Sequence, residues 1–191
     1  IWWDENLEQA LDLLAGRDTL VWPTINSRTF ALSDPAGDDA AVELVRSLAE
    51  MAAQRGLRVA LYPHWNWWMA RHDDALRIIE KAQCPNVGIS FGLCHWLLVE
   101  KDGGAGIADA IKRCLPHLMA VTINGSEPTG DTYATMIQTL DHGTFDVAPV
   151  IKQLQTIGYT GPIGLQCYGI QGNIRDNLTR SITAWRKITR A

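Results

Sequence analysis

The sequence contains no C-x-x-C pair, no block of like charge and no apolar stretch longer than a strand. Each absence closes off a class of protein. The four cysteines, Cys84, Cys94, Cys114 and Cys167, follow no zinc-finger spacing and read as buried free thiols rather than disulfides or a metal cluster. Lys and Arg number 17 against 21 Asp and Glu, scattered to a net charge of -4. No basic stripe is left for a phosphate backbone, so no nucleic-acid partner is expected. A membrane span needs about 20 consecutive apolar residues, and none occurs. Gly103-Gly104-Ala105-Gly106 precedes a helical pattern but lacks the Lys-Ser/Thr sequel of a phosphate loop. The chain begins Ile1-Trp2-Trp3, without an initiator Met or a signal peptide, and no compartment is read from it.

What is present is an alternation of helical and strand-like periods. Helical spacing predicts helices over 4–14, 38–54, 73–81, 107–115, 147–157 and 174–188, with a short one near 133–137. Gly16, Gly56 and Pro116 punctuate their ends, and Asp146 stands as a start signal. Short apolar runs between them predict strands over 19–22, 57–61, 87–91, 118–123 and 163–166. This βα alternation defines an α/β fold with a parallel sheet covered by helices. No internal repeat or interdomain linker interrupts residues 1–191, so one domain is expected.

Four of the strand-like runs end in polar residues: Tyr62-Pro63-His64, Gly92-Leu93-Cys94-His95, Thr122-Ile123-Asn124 and Gln166-Cys167-Tyr168. Parallel α/β proteins place their chemistry at the carboxyl ends of strands, so these groups are expected to share a pocket there. Trp65, Trp67 and Trp68 follow His64, and Trp96 follows His95. Flat aromatic faces at a pocket mouth suit the C–H face of a sugar ring. Trp96 is the first choice for that platform. Trp2, Trp3 and Trp22 are assigned to the core, or to contacts with whatever precedes residue 1.

The segment from Gly56 to Lys187 resembles the xylose-isomerase-like TIM barrels, the sugar phosphate isomerase/epimerase family. The likeness rests on Gly56 through His64, Pro85 through His95, Leu118 to Asn124, Gly143-Thr144-Phe145-Asp146 and Gly158-Tyr159-Thr160-Gly161-Pro162. It implies a (β/α)8 TIM-barrel type of which this chain holds about the last five βα units, an incomplete barrel lacking the first three. A homo-oligomer is then a candidate cover for the open sheet edge. The family binds a divalent metal through carboxylates and a His at four strand ends, and those positions here are Tyr62, Gly92, Thr122 and Gln166. A hard cation needs anionic oxygen, so no metal or other cofactor is expected. The resemblance leaves His64 and His95 as an acid–base pair, with Tyr62, Trp96, Thr122, Asn124, Gln166 and Tyr168 contacting a small-molecule carbohydrate. The alternative is a non-catalytic carbohydrate-binding or scaffold relative. Related barrels with nuclease activity place metal ligands near Asp141-His142; here the pair is adjacent and unaccompanied, and is read as a solvated loop.

Overall fold

The computed structural model describes residues 6–190. Five strands follow the order β1-β2-β3-β4-β5: β1 (Leu20–Val21), β2 (Arg58–Leu61), β3 (Val87–Gly92), β4 (Leu118–Ile123) and β5 (Ile163–Leu165). Val21 lies opposite Val59, Leu61 opposite Ile89 and Ile123 opposite Leu165, each pairing parallel. The helices are α1 (Leu7–Leu14), α2 (Asp38–Ala53), α3 (His72–Ala82), α4 (Leu93–Glu100), α5 (Ile107–Cys114), α6 (Tyr133–Met136), α7 (Ala148–Thr156) and α8 (Ile174–Arg190). Two compact units are present. One holds the residues up to Phe91 with Pro116–Met119; the other holds Gly92–Leu115 and the residues from Ala120 on. The stretch expected to open the first helix, with Trp2 and Trp3, lies outside the described residues.

In the first unit α2 packs on β2 and α3. Its helical set Val42, Val45, Leu48, Ala49 and Ala52 is buried as the spacing predicts. Burial of a Val or Leu contributes about 1.5–3 kcal/mol before entropy is counted. Asp38 and Asp39 sit in its first turn, where the helix dipole favours negative charge. The Asp38 carboxylate is buried and accepts from Arg77 Nε at 2.8 Å and Lys81 Nζ at 2.7 Å. Arg46 reaches from α2 to donate to the carbonyls of Ala82 and Lys81, satisfying the carboxyl end of α3. Every residue of β3 is buried, as a strand covered on both faces must be. Gly88 in that strand is required by crowding: a Cβ there would stand 2.3 Å from the carbonyl oxygen of His117.

The second unit departs from the sequence reading at α4. Leu93-Cys94-His95 does not extend a strand end; it is the first turn of a helix. The run Leu93–Leu98 is buried throughout and shows no polar face, so hydrophobic periodicity cannot separate helix from strand there. Downstream of β4 the polar stretch folds back on itself through an antiparallel bridge between Gly125 and Gln138. Gly143, at φ +84°, is pressed so close to Ser126 that a Cβ would stand 2.1 Å from its carbonyl oxygen. Helix α7 starts at Ala148, with the Asp146 carboxylate accepting from the Ala148 N–H at 3.0 Å. Strand β5 ends at Leu165, one residue earlier than expected, and Cys167 beyond it is exposed rather than buried. The other thiols are free, with Cys94 and Cys114 buried. No helix among the described residues is long and apolar enough to cross a membrane.

Candidate functional site

In the first unit the carboxyl ends of β1 and β2 are tied side by side. The Tyr62 N–H donates to the carbonyl of Pro23 at 2.9 Å, and the Met69 N–H donates to Ile25 at 3.1 Å. The chain after β2 makes a tight turn, with Trp67 N–H bonded to the His64 carbonyl and Asn66 at φ +66°. That turn splits the three tryptophans. Trp68 is 1% exposed, its Nε1 donating to the Asp34 carbonyl at 3.0 Å, and serves packing. Trp67 stays half-buried with its ring centroid 5.1 Å from that of His64. Tyr62 stands edge-on to His64 at 6.2 Å, and Trp22 lies tilted beside Tyr62 at 5.8 Å. Four rings thus run together at two strand ends.

His64 fixes its own tautomer. Nδ1 lies 2.8 Å from the Trp65 carbonyl, which can only accept, so the proton sits on Nδ1 and Nε2 carries the lone pair. Burial lowers the imidazole below its ordinary 6.5, outweighing the opposing effect of the Trp65 hydrogen bond. The result is a neutral ring with an acceptor nitrogen.

In the second unit, strand alternation puts Thr122, and Asn124 just past the strand, on one face of β4; Ile123 faces the other way, towards Ile163, Leu165 and α8. Both polar residues are buried, at 7% and 0% exposure. Asn124 Nδ2 donates to the carbonyls of Gly125 at 2.9 Å and Met136 at 2.7 Å, which pins the amide and the returning loop. Its Oδ1 and the Thr122 Oγ1 are buried without any hydrogen-bond partner. Such orphaned oxygens are rare in folded proteins and cost about 1–3 kcal/mol each. Gln166 continues alongside: its N–H donates to the Ile123 carbonyl and its Oε1 accepts from the Tyr168 N–H at 3.2 Å.

His95 is 2% exposed in the first turn of α4, not at an open strand end. Its ring stands perpendicular to that of Tyr133 at 6.2 Å, and Tyr133 meets Tyr168 at 5.5 Å. Tyr168 is 67% exposed and the line of three rings runs from interior to surface. Burial raises the Tyr133 hydroxyl above its ordinary value, with Cys94 and Tyr168 adding to the effect. Cys94 beside it is pushed up to about 12 by burial, so it stays a thiol. Trp96 is 6% exposed, with its six-membered ring against Gly106, and presents no open face. Asp141 and His142 are gathered by Arg180 of α8, whose Nε donates to Asp141 at 3.0 Å. Burial alone would raise the Asp141 carboxyl, but the bonds from Arg180, Thr139 and His142 hold it far below the usual range.

Two residues of these clusters were not singled out as site residues from the sequence. Tyr133 gave no signal, because its helix has a single turn and its contacts are made through the folded-back loop. Trp22 carried one: it ends a strand next to a proline, as Tyr62 does.

The residues do not fit a hard divalent cation. Tyr62, Gly92, Thr122 and Gln166 provide no carboxylate, and among the described residues no three His, Cys, Asp or Glu side chains come together as a metal-holding group.

A parallel α/β sheet with polar strand ends defines the class, and the sequence profile completes it: residues 6–188 match the xylose isomerase-like TIM barrel family, to which the chain belongs. No curated protein matches it. Solved structures do. A D-tagatose 3-epimerase-like protein superposes with a TM-score of 0.75 at 17% identity, covering 96% of this chain and 67% of that one. The 3-keto-D-glucoside 4-epimerase of E. coli gives 0.74 at 18% identity, covering 98% and 70%. A xylose isomerase-like TIM barrel protein of Mycobacterium smegmatis, in complex with magnesium, gives 0.70 at 20%, covering 95% and 65%. The chain spans about two thirds of the length of these structures. At these identities the likeness is one of fold.

Proposed function

We propose that the protein binds a small carbohydrate at the carboxyl ends of its strands and acts on it as a sugar isomerase or epimerase. The observation that carries this reading is the pair of partnerless buried oxygens, Thr122 Oγ1 and Asn124 Oδ1. Both accept, and Asn124 can offer nothing else because its amide protons are spent on backbone carbonyls. A ligand that donates from adjacent hydroxyls supplies what both atoms lack. Epimerases among the fold relatives favour the same class of ligand.

For catalysis the first unit offers His64, whose ring is held as a neutral imidazole, and the second unit separately offers His95, set edge-on to Tyr133; each is a candidate acid–base group in its own unit. Tyr62, Gln166 and Tyr168 are the remaining candidate contacts. No step is routed through a metal, since the residues present do not fit one.

A second reading, a binding protein without turnover, is favoured by the missing carboxylates at Tyr62, Gly92, Thr122 and Gln166. One experiment orders the possibilities. Thermal denaturation of the protein with D-fructose, D-xylose or D-tagatose is expected to show stabilisation that Thr122→Val loses. Chromatographic analysis of the same mixtures then separates turnover from binding. Absence of stabilisation by any sugar would overturn the proposal.

A further inference from the structure

We propose that helix α8 docks on helix α1 of a second copy of this chain, a heterologous contact made by two different faces. Charge is divided unevenly along the sequence. Arg175, Arg180, Arg186, Lys187 and Arg190 lie on α8 against Asp176 alone, leaving 12 cations against 20 acids in the rest of a chain of net charge -4. A cationic helix on an otherwise acidic protein finds its complement on another copy. Pairing α8 with α8 instead sets like charges together and is opposed by repulsion.

Helix α8 couples that charge to bare apolar surface. Ile174, Leu178 and Ile182 are exposed at four-residue steps, and the same row continues into Arg186 and Arg190. One line along the helix is therefore apolar in its first half and cationic in its second. Helix α1 presents the matching pattern on the side away from its buried Leu11. There Leu13 is 68% exposed, and the Glu8 and Asp12 side chains are 71% and 63% exposed. Arg55 meets both carboxylates, at 3.5 and 2.6 Å, one cation for two acids, so the face stays negative. The spacings agree. Leu13 to Glu8 is about 7.5 Å along one axis, and Ile182 to Arg186 about 6 Å along the other. Laid antiparallel, α1 sets its leucine on the apolar half of α8 and Glu8 towards the cations, with the helix dipoles also opposed.

Sedimentation velocity of the unmutated chain, Leu13→Glu, Leu178→Glu and an equimolar mixture of the two variants tests the contact, with far-UV circular dichroism confirming that each variant is folded. The unmutated chain is expected to associate as its concentration rises. Each variant alone is expected to be weakened by about tenfold or more, and the mixture, which keeps one intact α8 and one intact α1, to regain association as one-to-one pairs. Leu13→Glu that associates as well as the unmutated chain overturns the docking, and so does a mixture no stronger than its components. Salt needs no variant: going from about 0.05 to about 0.5 M NaCl is expected to weaken the unmutated association, and indifference to salt overturns the pairing of charges. A chain that stays monomeric up to about 1 mM overturns the proposal outright.

Discussion

His64 has been given one protonation pattern by a single backbone carbonyl. Because Nδ1 donates to Trp65, the ring's lone pair lies on Nε2, and burial keeps the ring neutral to lower pH than an exposed histidine. The sign of the consequence is fixed. With the folded value below 6.5, the unfolded chain takes up a proton first as pH falls, so this group removes stability as pH drops from 6.5 to the folded value. NMR titration of the His64 imidazole is expected to give a midpoint below 6.5 and the Nδ1–H tautomer above it. A midpoint at or above 6.5 would remove the physical basis for a proton acceptor here. Thr122 differs in kind: its oxygen does not titrate, and its suitability comes only from being buried without a partner.

Among elements, the α2–α3 pair shows how charge can be kept inside. Burial by itself would raise the Asp38 carboxyl, but the hydrogen bonds and charges of Arg77 and Lys81 outweigh it and hold it below 3.8. A depressed carboxylate contributes stability that is whole above the unfolded value and lost as pH falls through the folded one. Thermal denaturation is therefore expected to be flat with respect to this group at neutral pH and to weaken below about pH 4. Asp38→Asn should cost about 1.5–3 kcal/mol at pH 7, the range of hydrogen bonds to a charged group, and abolish that part of the acid dependence, measured by urea denaturation at two pH values. Helix α2 was legible in sequence because its apolar residues keep a 3.6 period against a polar face. Helix α4 was not, because Leu93-Cys94-His95-Trp96-Leu97-Leu98 is apolar nearly all round and an enclosed helix has no face to report. That one ambiguity moved His95 and Trp96 from an expected open strand end to a sealed turn. Strand ends were found well, since β–α alternation locates them. Which polar atoms would be left without partners was invisible, because it depends on the returning loop from Gly125 to Gln138, which takes the amide protons of Asn124 and leaves its Oδ1 and the Thr122 Oγ1 unpaired.

At the scale of the molecule, an apolar groove opens between β5 and α8. Ile163, Leu165, Leu178, Ile182 and Trp185 line a groove of about 760 Å³, and Ile174, Leu178 and Ile182 follow one another at four-residue intervals, each at least 44% exposed. Apolar surface of this kind drives association. We expect concentration-dependent self-association in sedimentation velocity, reduced by the double change Leu178→Glu and Ile182→Glu; an unaltered distribution would show that another surface is responsible. Fold class was readable from the order of elements and the family from the motif resemblance, while this groove was not, since the helical stripe of α8 looks the same in sequence whether covered or bare. The burial of β3 has its own consequence. All six of its residues are enclosed and the His117 carbonyl crowds Gly88. Amide protons of residues 87–91 should outlast those of β1 when the protein is moved into deuterated water, and their exchange rate becomes a clock for the opening of the whole first unit.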